Sequence, residues 1–148
     1  MTANRVSYTL DSSLESVNMA EETAQQFATR AGFDEDSCLK IAMAVREAAV
    51  NAVLHGNAYD PQKKMTVGFE VTPRALVITI TDQGEGLDVN NIPDPTTPEN
   101  LLKQSGRGIF LMRAFMDEVR IRVLSPGTEV TMVKNVSGSA ANQKEASK

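Results

Sequence analysis

Polar and apolar residues alternate at the start of the chain, where Val6, Tyr8 and Leu10 are separated by Arg5, Ser7 and Thr9. A period of two predicts a short, half-buried strand. From Leu14 the apolar spacing changes to three and four, through Val17, Ala20, Ala24, Phe27 and Ala31. That spacing predicts a helix, capped by Ser12 or Ser13 and ended by Gly32. A second helix is expected to start between Asp34 and Ser37, where acidic side chains suit a helix N-terminus. It runs through Leu39, Ile41, Met43, Val45 and Val50 to a stop at Gly56. Two alternating runs follow, Met65-Val67-Phe69-Val71 and Leu76-Ile78-Ile80, parted by Thr72-Pro73-Arg74. They predict an antiparallel hairpin. A third helix is expected after Gly106-Arg107-Gly108, carrying Ile109, Leu111, Met112 and Phe115. A second hairpin then joins Val119, Ile121 and Val123 to Val130 and Met132 around Ser125-Pro126-Gly127.

Five strands and three helices in this order predict an α+β fold: a two-layer sandwich with an antiparallel or mixed sheet and the helices on one face. Residues 88–105 hold three prolines and many turn formers. A loop this long within a compact domain is usually functional, and it reads as a lid or binding loop. Residues 137–148 contain no large apolar side chain to offset ordering entropy and read as unstructured. The expected organisation is one domain over residues 5–134 and a tail over 135–148.

Composition narrows the function. With 15 Lys and Arg against 19 Asp and Glu, the net charge is −4. That is the wrong sign for a domain whose main partner is a phosphate backbone, so direct nucleic-acid binding is not expected. Cys38 and His55 are each the sole residue of their type, which rules out an intrachain disulfide and a Cys/His zinc site. A reducing, cytoplasmic setting fits. The N-terminus lacks a signal-peptide pattern, and no run approaches the roughly 20 apolar residues a membrane span needs.

The second helix keeps two polar residues inside an apolar run, Glu47 and Asn51 in REAAVNAVLHGN. At about 100° per residue they emerge roughly 40° apart and can converge on one object. A buried carboxylate without a partner is costly, so Glu47 points to a charged partner, a metal or a water-filled cleft. Asn51 offers an oxygen of the kind Mg²⁺ accepts. From this helix alone, a surface pair of Glu47 with Arg46 or Lys40, and an Asn51 bonded to backbone, account for the pattern slightly more simply. Asp82-Gln-Gly-Glu-Gly86 follows the strand ALVITIT; an Asp there can accept a hydrogen bond from an amino group, and Gly84 and Gly86 permit close approach. Taken alone it is also a common Asp/Gly turn. Gly106-Arg107-Gly108 opens a helix, whose free N–H groups and dipole favour phosphate.

The order of these elements is more specific than any one of them: Glu-x3-Asn-x3-His-Gly-Asn, Asp-x-Gly-x-Gly, Gly-x-Gly, then Gly127-Thr128. In this the chain resembles the GHKL ATPases, which include gyrase, histidine kinases and mismatch-repair ATPases, and among them the bacterial anti-sigma-factor serine/threonine kinases. The resemblance covers residues 5–134 and implies a Bergerat ATP-binding fold with ATP and Mg²⁺ as cofactors. It implies Asn51 as the Mg²⁺ ligand, Asp82 as acceptor of the adenine amino group, and Gly84 and Gly86 as walls of the adenine pocket. Gly106 and Gly108 would lie against the phosphates, with Arg107 a phosphate contact. Thr128 would bond adenine directly or through water, residues 88–105 would form the lid, and Glu47 would be the general base. A chain with no second histidine and no long appended region fits the anti-sigma kinases better than histidine kinases or gyrase. The implied function is sequestration of a sigma factor and phosphorylation of a serine or threonine on a STAS-domain anti-anti-sigma partner. A homodimer near the first strand and helix is implied too. The alternative is a nucleotide-gated binding module that transfers no phosphate.

Overall fold

The structure, a computed structural model, describes residues 4–84, 106–124 and 126–136. Gly86, the expected lid at 88–105 and the tail at 137–148 lie outside the described residues, as do the side chains of Gly106 and Arg107. The elements follow the order β1 (Asn4–Asp11), α1 (Leu14–Arg30), α2 (Glu35–Val50), a π-helical turn (Asn51–Gly56), β2 (Lys64–Val71), β3 (Ala75–Thr81), α3 (Gly106–Phe115), β4 (Glu118–Val123) and β5 (Thr128–Asn135).

The strands form one sheet in the order β1-β2-β3-β5-β4, and every neighbouring pair is antiparallel. Of the two arrangements left open by the sequence, the fully antiparallel one holds. Register places Val6 opposite Phe69, Tyr8 opposite Val67 and Leu10 opposite Met65, all on the helix-covered face. Phe69, Met65, Leu76, Ile78, Ile80 and Met132 are almost completely buried. Each contributes about 1.5–3 kcal/mol relative to an exposed position. Phe27 of α1 stacks on Phe69 at 4.8 Å between centroids and 6° between planes, fixing helix to sheet.

Both long helices begin at side-chain caps. Ser13 Oγ accepts from the Ser16 N–H at 3.2 Å, and Asp34 Oδ1 from the Ser37 N–H at 2.8 Å. That hydrogen bond to the Ser37 backbone holds the Asp34 carboxyl below the ordinary carboxylate range. α1 ends where Gly32 adopts φ +95°, a left-handed residue that suits glycine.

Leu14, expected on the apolar face of the first helix, lies outside the core, as do Leu39 and Met43 of the second. Leu14 is 53% exposed, Leu39 50% and Met43 45%. The core face of α2 is built from Cys38, Ile41, Ala42, Ala44, Val45, Ala48 and Ala49, mostly small residues that let α1, α3 and the sheet approach closely. Large side chains on the opposite arc therefore stay in solvent. On α1 the buried stripe starts at Ser16 and Val17, so Leu14 precedes it.

Candidate nucleotide site

The apolar run that forms α2 ends in a wider π-helical turn, where the Asn57 N–H reaches the Ala52 carbonyl, five residues back, at 2.8 Å. Such turns often occur at functional sites because they re-aim the residues within them. The chain then leaves through Ala58 and Tyr59 at φ +52° and +59°, two successive left-handed residues with side chains. Each costs about 1–2 kcal/mol, which the surrounding structure must offset.

Glu47 and Asn51 stand half-buried on the α2 side that faces α3. A Cβ on Gly108 would come within 3.1 Å of Glu47 Oε1 and 3.2 Å of Asn51 Nδ2, so the first turn of α3 rests directly on this pair. The helix begins at Gly106 itself, three residues earlier than expected, so its first turn stands beside the carboxylate and the carboxamide. The simpler surface account of Glu47 does not hold among the described residues. Arg46 is committed to Glu21 and Asn18, both at 2.9 Å, and Lys40 to Asp36 at 3.1 Å.

Asp82 follows β3 and is only 7% exposed. Its Oδ1 accepts the Gly84 N–H at 3.0 Å and the Thr128 N–H at 3.1 Å, and its own N–H donates to the Thr128 carbonyl at 3.0 Å. Among the described residues Oδ2 has no donor, the state required of an acceptor for an external amino group. Burial pushes the Asp82 carboxyl above the ordinary carboxylate range; the Gly84 and Thr128 amides and the charge of Lys63 pull the other way without cancelling it.

Three glycines permit the close packing around Asp82. A Cβ on Gly56 would overlap the Asp82 side chain, and one on Gly84 would overlap the Gly56 carbonyl. Gly127, at φ +106°, passes against the Asp82 carbonyl. The structure thus brings together Asp82, Gly84 and Thr128 as one cluster, and Glu47, Asn51 and Gly108 as a second. Both border the same segment, since Asn51 and Gly56 are the two ends of the π turn.

Sequence reasoning placed Gly56 and Asn57 in the motif order but gave neither a task in the site, reading Gly56 as the end of a helix. Asn57 is 1% exposed and fully engaged: Nδ2 donates to Ser12 Oγ at 2.8 Å and to the Lys64 carbonyl at 3.0 Å, while Oδ1 accepts the Gln83 N–H at 2.8 Å. The available signal was the Asn that follows His55-Gly56, a polar residue directly after a helix-ending glycine.

The fold and this pair of clusters define a histidine kinase-like ATPase domain, and the model of that family matches residues 10–134. The serine-protein kinase RsbW of Bacillus licheniformis is 33% identical over 126 residues, covering 81% of this chain and 78% of the relative. The anti-sigma F factor of Anoxybacillus flavithermus is 32% identical, covering 84% of this chain and 87% of the relative. In fold, the chain is similar to a Mycobacterium tuberculosis structure of RsbU and RsbW domains, with TM-score 0.66 and 20% identity over 88% of this chain and 31% of that one. It is also similar to the histidine kinase domain of a blue-light-activated kinase from Erythrobacter litoralis, with TM-score 0.55 and 16% identity over 80% of this chain and 59% of that one. The chain belongs to the histidine kinase-like ATPase family, in its group of protein serine/threonine kinases and anti-sigma factors.

Proposed function

We propose that this protein is an ATP-dependent serine/threonine kinase that sequesters a sigma factor and phosphorylates a STAS-type anti-anti-sigma partner. The observation that carries this reading is the contact of Gly108 with Glu47 and Asn51, which sets a phosphate-favouring helix N-terminus beside a carboxylate and an oxygen ligand. The glycine-lined space around Asp82, with Oδ2 free among the described residues, fits an adenine amino group. Bound ATP would supply the phosphoryl group, with Mg²⁺ offsetting its charge.

Each residue then has a separate task. Asp82 and Thr128 hold the base, while the amides of α3 from Gly106 through Gly108 face the phosphates, with Arg107 a further phosphate contact. Gly84 and Gly86 wall the base pocket, and residues 88–105 cover it. Asn51 ligates Mg²⁺. Among the described residues no group of three or more His, Cys, Asp or Glu forms a protein-only cage, and Mg²⁺ commonly binds through few protein ligands plus phosphates and water. Glu47 takes the proton of the incoming serine or threonine hydroxyl on its carboxylate and aligns that oxygen.

No helix among the described residues is long and apolar enough to cross a membrane. The proposed setting is cytoplasmic, with a homodimer formed near β1 and α1, where Tyr8, Leu14 and Met19 are exposed. Incubation with a STAS-domain protein and ATP, followed by intact-mass analysis, tests the function. The addition of one phosphate is expected. Stable complex formation without added mass, across several STAS proteins, would assign the chain instead to nucleotide-gated binding.

A further inference from the structure

Four chain segments far apart in sequence meet at one buried carboxamide. Ser12 lies between β1 and α1, Asn57 leaves the π turn, Lys63 and Lys64 open β2, and Gln83 follows β3. Asn57 bonds to three of these segments with both N–H groups and its oxygen. Gln83 closes the ring, its Oε1 accepting the Lys64 N–H at 2.6 Å, and Ser12 Oγ donates to the Lys63 carbonyl at 2.5 Å.

This clasp borders Asp82 from two directions. Asn57 follows Gly56, whose backbone lies against the Asp82 carboxylate, and Asn57 Oδ1 holds Gln83, the residue after Asp82. The Gly84 and Thr128 amides hold Oδ1 directly, and Asn57 ties together the two backbone segments, at Gly56 and at Gln83, that flank the carboxylate. Neither glycine tolerates a Cβ there, so a small shift of either wall displaces the carboxylate.

We propose that Asn57 is a positioning residue that fixes the Asp82 carboxylate for recognition of the adenine amino group and so sets base selectivity, without touching nucleotide. This rests on the reading of Asp82 as the adenine acceptor. Asn57 acts through the Gln83 amide and the Gly56 wall, whereas its bonds to Ser12 and Lys64 serve the fold. The two roles can therefore be separated.

The test compares the Kd of ATP with that of purine riboside triphosphate, which differs only in lacking the 6-amino group, for the full chain and four variants. Wild type is expected to prefer ATP and Asp82→Asn to lose the preference; wild type without a preference would overturn the Asp82 reading itself. Asn57→Ala, and the polar Asn57→Ser if Ala does not fold, are expected to lower the preference about ten-fold, the scale of one misaligned hydrogen bond to a charged group. Affinity for the analogue is expected to stay near that of wild type. Ser12→Ala cuts the clasp away from Asp82, so it should lower the melting temperature and leave the preference intact. If Asp82→Asn abolishes the preference and a folded Asn57 variant retains it, or if Ser12→Ala lowers it equally, Asn57 is only a structural residue and the inference is overturned.

Discussion

Asp82 carries opposing demands, because the site needs a free carboxylate oxygen and the fold buries the group that supplies it. Burial holds its pKa above the unfolded value, so its contribution to stability is full below the unfolded pKa and is lost as pH rises through the folded one. Asp82→Asn removes that loss. We expect the variant, free of nucleotide, to melt above wild type at pH 7, with the gap narrowing as pH falls towards the unfolded value, and to bind ATP no more tightly than purine riboside triphosphate throughout. Thermal melts over a pH series check this; a variant melting below wild type at pH 7 would show that the Gly84 and Thr128 amides outweigh burial. Glycines of the two clusters separate in the same way. Gly84→Ala would force a Cβ onto the Gly56 backbone and cost about 3 kcal/mol, measurable by urea unfolding. Gly108→Ala meets only the ends of two flexible side chains and gains about 0.5–1 kcal/mol of helix propensity. It is expected to fold as well as wild type while phosphotransfer falls at least about ten-fold, because Glu47 and Asn51 must move aside.

Each secondary-structure element follows from a local rule, and the rules fail where small residues set the geometry. Alternation marked β1 to β5, and the Ser and Asp caps marked where α1 and α2 begin. Leu39 and Met43, part of the apolar run that marked α2, are exposed, because its buried face is built mainly from alanine, which lets α1, α3 and the sheet approach closely. Nothing in the residues of NAVLHG announces a π turn; the turn meets the steric demand that Gly56 lie against Asp82, 26 residues away. That demand carries a conformational cost at Ala58. Glycine there would relieve about 1–2 kcal/mol of left-handed strain against about 0.4–1 kcal/mol of extra chain entropy. Ala58→Gly is therefore expected to stabilise by roughly 0.5–1 kcal/mol, and Ser13→Ala to destabilise by about 1 kcal/mol, both readable from denaturant midpoints.

At the scale of the molecule, the two hairpins β2–β3 and β4–β5 were legible because their partners are sequence neighbours. The insertion of β5 between β3 and β4, and the pairing of β1 with β2 across α1 and α2, were not, since they depend on packing rather than on local pattern. These long-range pairings assemble the site. β5 brings Thr128 to Asp82, and the return of the chain through α3 brings Gly108 to Glu47. The candidate residues were readable as a motif order, whereas their division into a base cluster and a phosphate cluster joined by the π turn required the fold. The central claim is that Glu47 performs chemistry while Asn51 and Asp82 hold what it acts on. The measurement is the rate of phosphate transfer from labelled ATP to a STAS-domain partner by Glu47→Gln, under conditions where ATP saturates both variant and wild type. Wild-type transfer with a loss of about a hundred-fold or more in the variant, at unchanged ATP affinity, is the expected result. Equal transfer by the two proteins would contradict the role assigned to Glu47.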